Sequence, residues 1–97
     1  MKYVGFKEYV KAILKTAEYK RDEELDCVVA IAPTLKGCMT QGNNFEEARE
    51  NLIDAIELWI TVTLREGEDV PKINDIQLAT SMEHMEQTIN VGNATYA

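Results

Sequence analysis

Apolar side chains recur near the start of the chain at helical spacing. Phe6, Tyr9, Val10, Ile13, Leu14 and Ala17 fall at i, i+3, i+4, i+7, i+8 and i+11. That single stripe predicts a short amphipathic helix over residues 6–16. Lys7, Lys11 and Lys15 share its other side at four-residue intervals. The plain reading of such a run is a solvated face. A phosphate-contacting stripe would carry arginines or aromatics between the lysines, and that face of the helix has none.

The period then shortens to two. Residues 18–21 read as a short strand, and Asp22-Glu23-Glu24 as the polar turn after it. Residues 25–32, Leu-Asp-Cys-Val-Val-Ala-Ile-Ala, are rich in β-branched side chains and half alternating, which suits a strand. Leu25, Cys27, Val29 and Ile31 would share one face and, as the bulkier set, are expected on the core side. Pro33 stops the ladder because it has no N–H to donate. Residues 37–41 predict a third short strand, with Gly42-Asn43 as the turn that follows.

Asn44 opens the best-marked element. Asn at the N-cap with Glu47 three residues on resembles a capping box, and Glu46 also favours the positive helix end. The helix should run to Glu66, where Gly67 supplies a left-handed residue and Pro71 prevents continuation. Phe45, Ala48, Leu52, Ala55, Ile56, Trp59 and Val62 form the expected core stripe, with Glu46, Glu50, Asp54 and Glu57 nearly opposite. Ile53, Ile60 and Leu64 flank that stripe and widen the apolar arc to roughly 200°, about twice what one buried face needs. Residues 75–79 read as a final strand. Met82, Met85 and Ile89 then recur at helical spacing, predicting a short helix before irregular structure.

Composition narrows the functional classes. The 97 residues, 45% hydrophobic and 28% charged, fit one ordinary domain, and neither disorder nor a fibrous repeat. No apolar run approaches a membrane span and the first residues do not look like a signal peptide. With only two cysteines, Cys27 and Cys38, the expectation is a cytoplasmic protein with buried, inert thiols. The net charge of −7 argues against nucleic-acid binding by the whole surface. The charge is unevenly placed, however. Residues 1–21 carry six basic and two acidic side chains, a local +4, whereas the remainder carries 4 basic and 15 acidic, a local −11. A basic partner suits the acidic part.

Catalytic and cofactor signals are missing. Cys27, Cys38 and the single histidine, His84, match no zinc spacing. No serine or carboxylate spacing makes His84 half of a dyad, and a surface histidine is the expectation. None of the five glycines is followed by Lys-Ser or Lys-Thr, so no phosphate loop is present. The chain reads as a binding protein, not an enzyme, without cofactor or metal.

One segment carries a resemblance. Pro33-Thr34-Leu35-Lys36-Gly37-Cys38-Met39-Thr40-Gln41-Gly42, then Glu46-Glu47-Ala48 and Asp54-Ala55-Ile56-Glu57, resembles the HicB-like antitoxin family. There a strand ends in a Pro-x-Leu-x-Gly-Cys-like turn, a Thr-x-Gly strand end follows, and a helix begins Glu-Glu-Ala with Ala-Ile two turns on. Gly67-Glu68-Asp69-Val70-Pro71 is similar to the family's helix exit. The matching positions are Pro33, Leu35, Gly37, Cys38, Thr40, Gly42, Glu47, Ala48 and Ala55, all structural in character. Small Ala48 and Ala55 would allow close helix–sheet approach, and Gly42 would free the chain to enter the helix. The resemblance implies a β-β-β-α-β unit, a partial ribonuclease-H-like fold without that enzyme's activity. It further implies binding to a small, basic, HicA-like toxin that cleaves mRNA, with the toxin's active site covered. Two departures stand out: a helix precedes the first family strand, and the residues after 79 are too few for a helix-turn-helix. Lys36 also stands where the family commonly has proline.

The expected architecture is α+β in one domain spanning residues 1–97. An N-terminal helix comes first, then a three-stranded antiparallel meander, a long helix packed on the sheet and a fourth strand, with 80–97 as a tail. Turns this short exclude parallel crossovers within the meander. The expected function is that of an antitoxin-type binding protein; the alternative is a stand-alone regulatory or RNA-associated protein using the Lys7, Lys11 and Lys15 face. Ile53, Ile60 and Leu64 would form a wet apolar ridge on a monomer, which predicts a homodimer or a dimer of dimers that buries it. The fourth strand would add to this at a sheet edge.

Overall fold

A computed structural model describes residues 2–80. Its elements in chain order are β1 (Lys2–Val4), α1 (Phe6–Lys15), β2 (Glu18–Asp22), β3 (Cys27–Ile31), β4 (Met39–Gly42), α2 (Phe45–Arg65) and β5 (Ile76–Leu78). The expected α+β layout is present. Strands β2, β3 and β4 form an antiparallel meander in that order, with Tyr19 opposite Ala30 and Ala30 opposite Thr40. The helical spacing around Met82, Met85 and Ile89, and His84, lie outside the described residues.

Two turns explain the meander. Between β2 and β3, Asp22 Oδ1 accepts from Glu24 N and Leu25 N at 3.0 and 3.1 Å, and Asp26 adopts φ +49°. A short aspartate side chain that bonds its own backbone makes this reversal cheap. Between β3 and β4, Leu35 N and Cys38 N donate to Ala32 O and Leu35 O, and Ala32 N donates to Cys38 O. Gly37 closes that loop at φ +81°, where a side chain would be strained.

Helix α2 starts and stops where the sequence marks it. Asn44 Oδ1 accepts from Glu47 N at 2.8 Å, and the Glu47 carboxylate returns to Asn43 N at 3.1 Å. At the other end Gly67 N donates to Leu64 O and Glu68 N to Thr63 O, with Gly67 at φ +75°. Those crossed bonds form a Schellman motif that satisfies the last carbonyls.

Two features were not anticipated. A strand, β1, precedes α1 and pairs in parallel with β5, Lys2 beside Ile76 and Val4 beside Leu78, in a separate two-stranded sheet. The partner of β5 is therefore within the same chain. Three residues are too few to carry a visible alternation, so β1 left no pattern to read.

The core faces also differ from expectation. On β3 it is Val28 and Ala30, continued by Ala32, that are fully buried; Val29 and Ile31 are half-buried and Leu25 is exposed. Cys27 is buried beside Gln41, at the rim of the outer face. The smaller set faces α2 because the helix comes very near the sheet. A Cβ on Gly42 would lie 2.8 Å from Glu47 C and 2.9 Å from Ala48 Cα. Gly42 is thus small for close approach, and its φ is not in the left-handed region.

The α2 stripe is rotated as well. Its buried row is Ala48, Leu52, Ile56 and Ile60. Phe45 and Val62, expected inside, are exposed, while Ala55 and Trp59 are half-buried. Helix α2 packs on α1 as well as on β3 and β4, and this turns its buried arc toward Ile60. Tyr9, Val10 and Ile13 of α1 complete the core with Val4, Leu35, Val70, Ile73 and Leu78. The Tyr9 hydroxyl donates to Pro71 O, tying α1 to the chain after α2.

Candidate functional site

The ridge expected from Ile53, Ile60 and Leu64 does not exist. Ile60 is wholly buried within the chain, Ile53 is half-buried against the core, and Leu64 is exposed. The surplus apolar surface of α2 lies on its other flank. There Leu58 is 65% exposed and Val62 43%, and Met39, at the start of the edge strand β4, is 57% exposed. Together with Ala55 and Trp59 they line an open groove between α2 and the Gly37–Cys38–Met39 turn.

The family-motif residues build one wall of this groove. Leu35 is buried and anchors the turn in the core, and Cys38 is buried beside it. The Trp59 indole Nε1 donates to Lys36 O at 2.9 Å, clamping the turn to α2. Asn51 Nδ2 donates to Gln41 O at 2.8 Å and does the same for β4. Thr40 is half-buried on β4, Pro33 is exposed, and Gly42, Glu47 and Ala48 form the helix entry described above. Ala55 lines the groove floor with Trp59. The motif is therefore a device that fixes one turn against one helix.

Chemistry at the groove is mild. Both cysteines are free, and burial pushes the Cys38 thiol up from its ordinary value, away from the reactive thiolate. Glu66 closes one end of the groove, while Asp54 and Glu57 stand exposed on adjacent turns of α2. An apolar strip with a carboxylate at one end can hold a protein surface of opposite charge. Sequence reasoning missed Leu58 and Met39, because each breaks the apolar period of its own element. That break was the available signal.

The lysines of α1 are all exposed, as expected. Beside them the fold places Arg49 of α2, which sequence spacing could not associate with α1. Among the described residues no helix is long and apolar enough to cross a membrane.

The sequence model of the UPF0150-like family matches residues 8–71, from the first turns of α1 through the whole groove to Pro71. The chain belongs to the UPF0150-like family. Over 43 residues it is 51% identical to the UPF0150 protein ssr1765 of Synechocystis, covering 44% of this chain and 54% of that protein. Over 31 residues it is 52% identical to a UPF0150 protein of Helicobacter pylori, covering 32% of this chain and 43% of that protein. The chain thus spans about half the length of the curated UPF0150 relatives it matches. The crystal structure of TTHA0281 from Thermus thermophilus is similar over 77% of this chain and 93% of that one. The TM-score is 0.69 and the identity 26%.

Proposed function

We propose that this UPF0150-like chain is an antitoxin-type binding protein of the HicB-like kind, which holds a small, basic, HicA-like toxin and covers its mRNA-cleaving site. The observation that carries the reading is the groove. Leu58, Val62 and Met39 present apolar surface that the described residues leave exposed, and Glu66 adds a negative charge to its lining. A basic toxin would lay an apolar contact in the groove and set a cation against Glu66, while the turn at Gly37, clamped to α2 by Trp59, keeps the surface preorganised.

The test is growth rescue. Any small basic open reading frame found beside this gene is expressed alone and then with the present chain. Growth arrest with mRNA cleavage, relieved by the wild-type chain and not by a folded Leu58→Arg variant, is the expected result. If the neighbouring product is harmless, or is not bound by the purified chain, the antitoxin reading fails. Equal rescue by Leu58→Arg would move the contact away from the groove.

A further inference from the structure

On the side of α2 away from the groove, two helices assemble what α1 alone lacks. Lys11 and Lys15 of α1 and Arg49 of α2 surround a shallow recess floored by Leu14. All three cations are exposed, and no carboxylate lines the recess. Among the described residues the ion pairs are Lys2–Glu8 and Arg21–Asp26, so none of Lys11, Lys15 and Arg49 is held in an ion pair there. In a chain of net charge −7 that grouping is unusual. Lys7 continues the line one turn earlier, and successive lysines are spaced about 6 Å along the helix axis, comparable to successive phosphates on one strand.

Aromatic surface lies one helical turn from Arg49. Phe45 is 56% exposed and stands one helical turn before Arg49, on the same face of α2. Its ring meets that of Tyr19 with centroids 6.2 Å apart, which braces it from one side and leaves the remainder open. A helix N-terminus gains little from an exposed phenylalanine, and burial does not explain it.

We infer that the recess of Lys11, Lys15 and Arg49, with Phe45 beside it, binds single-stranded nucleic acid. The cations would follow two or three phosphates while a base stacks on Phe45. A line of cations along a shallow, open recess suits a flexible polyanion better than one isolated phosphate, which would call for an enclosed pocket. A duplex would bring its dense charge against the acidic remainder of the chain. At about 0.1 M salt the Debye length is about 10 Å, so distant carboxylates are largely screened from a strand held in the recess. This surface is separate from the groove, so it stands or falls independently of the toxin.

The experiment uses the full chain and a labelled oligouridine of about 12 nucleotides, read by fluorescence anisotropy from about 20 to 200 mM salt. Single-stranded DNA, duplex RNA and inorganic phosphate are parallel arms. Saturable binding with a log–log salt slope near −2 is expected for three phosphate contacts. Lys11→Gln with Arg49→Gln should weaken it at least about tenfold and bring the slope near −0.7. Phe45→Ala should weaken it at least about fivefold with the slope unchanged. Lys36→Gln, outside the recess, should leave it unchanged. Circular dichroism melts establish that each variant is folded. No binding at low salt overturns the inference, as does an equal loss with Lys36→Gln. Insensitivity to Phe45→Ala, tighter duplex binding, or full competition by millimolar phosphate also overturns it, because each replaces the single-strand site with another kind of anion site. Tighter binding of RNA than of DNA, or the reverse, supports it and names the strand.

Discussion

Gly42→Ala tests how closely α2 sits on the sheet. The added Cβ would fall 2.8 Å from Glu47 C and 2.9 Å from Ala48 Cα, and nearer still to Ala48 N. All three are backbone atoms in the first turn of α2, so no side chain can swing aside. Carbon contacts are favourable near 3.5–4.0 Å, and the helix end must therefore withdraw by roughly 1 Å. Overpacking of this kind costs about 1–3 kcal/mol. The smaller entropy of the unfolded alanine chain offsets about 0.4–1 kcal/mol, since Gly42 does not use a positive φ. The net loss should be about 1–2 kcal/mol, a fall in Tm of roughly 5–15 °C for a domain of this size. Urea denaturation followed by circular dichroism measures it. Amide exchange at Glu47, whose N–H is held by Asn44 Oδ1 at 2.8 Å, should accelerate with it. Gly37→Ala is the contrast: its Cβ would meet nothing within 4 Å, but φ is +81°, so its cost comes from backbone strain and leaves Glu47 exchange unchanged. A Gly42→Ala chain as stable as wild type would refute the argument from close approach.

Other outcomes follow from the same contacts. Ile60→Ala should cost about 2–5 kcal/mol in urea denaturation, and Ile60→Glu should fail to fold, whereas Leu64→Glu should change stability by under about 1 kcal/mol. A folded Ile60→Glu of normal stability would return Ile60 to the surface. Tyr9→Phe removes the bond to Pro71 O and should cost about 1 kcal/mol at neutral pH. Burial pushes the Tyr9 hydroxyl from 10.0 up to about 12. Its contribution is therefore complete below pH 10 and is lost as pH rises toward 12, because the unfolded chain releases its proton first. Wild type should therefore lose more stability than Tyr9→Phe over this window, by a few kcal/mol at most. Alkylation of Cys38 in the native chain should be slower than that of a free thiol and should accelerate in urea, as thiol-mapping by mass would record.

How much could be read from the chain depended on whether a signal was local. The cap at Asn44 and the exit at Gly67 are decided within a few residues and stand where their spacing put them, whereas Gly37, read by spacing as the start of a strand, lies in the turn before it, as the family resemblance implied. The choice of buried face is decided elsewhere. Alternation in 25–32 offered two faces, and bulk favoured Val29 and Ile31; the helix selected Val28 and Ala30, because proximity at Gly42 and Ala48 admits small side chains. The same distant cause rotated the stripe of α2. Its apolar arc was correctly read as too wide for one sheet, but α1 claimed the Ile60 side and left Leu58 and Val62 over.

The two candidate surfaces follow from that rotation. Had α2 buried Phe45 and Val62, the groove would have closed and no aromatic would stand beside Arg49. Turning the helix toward Ile60 moves one apolar flank out against Met39 and lifts Phe45 clear of the core at its first turn. The lysine run of α1, which by itself reads as a solvated face, thereby gains Arg49 beside it, with Phe45 one turn before that arginine. Neither surface is encoded in a contiguous motif. Each is assembled from two elements whose relative placement comes from the packing of Ala48, Leu52, Ile56 and Ile60. Substitutions in that row should therefore alter both surfaces together, whereas Leu58→Arg and Phe45→Ala should each affect one alone.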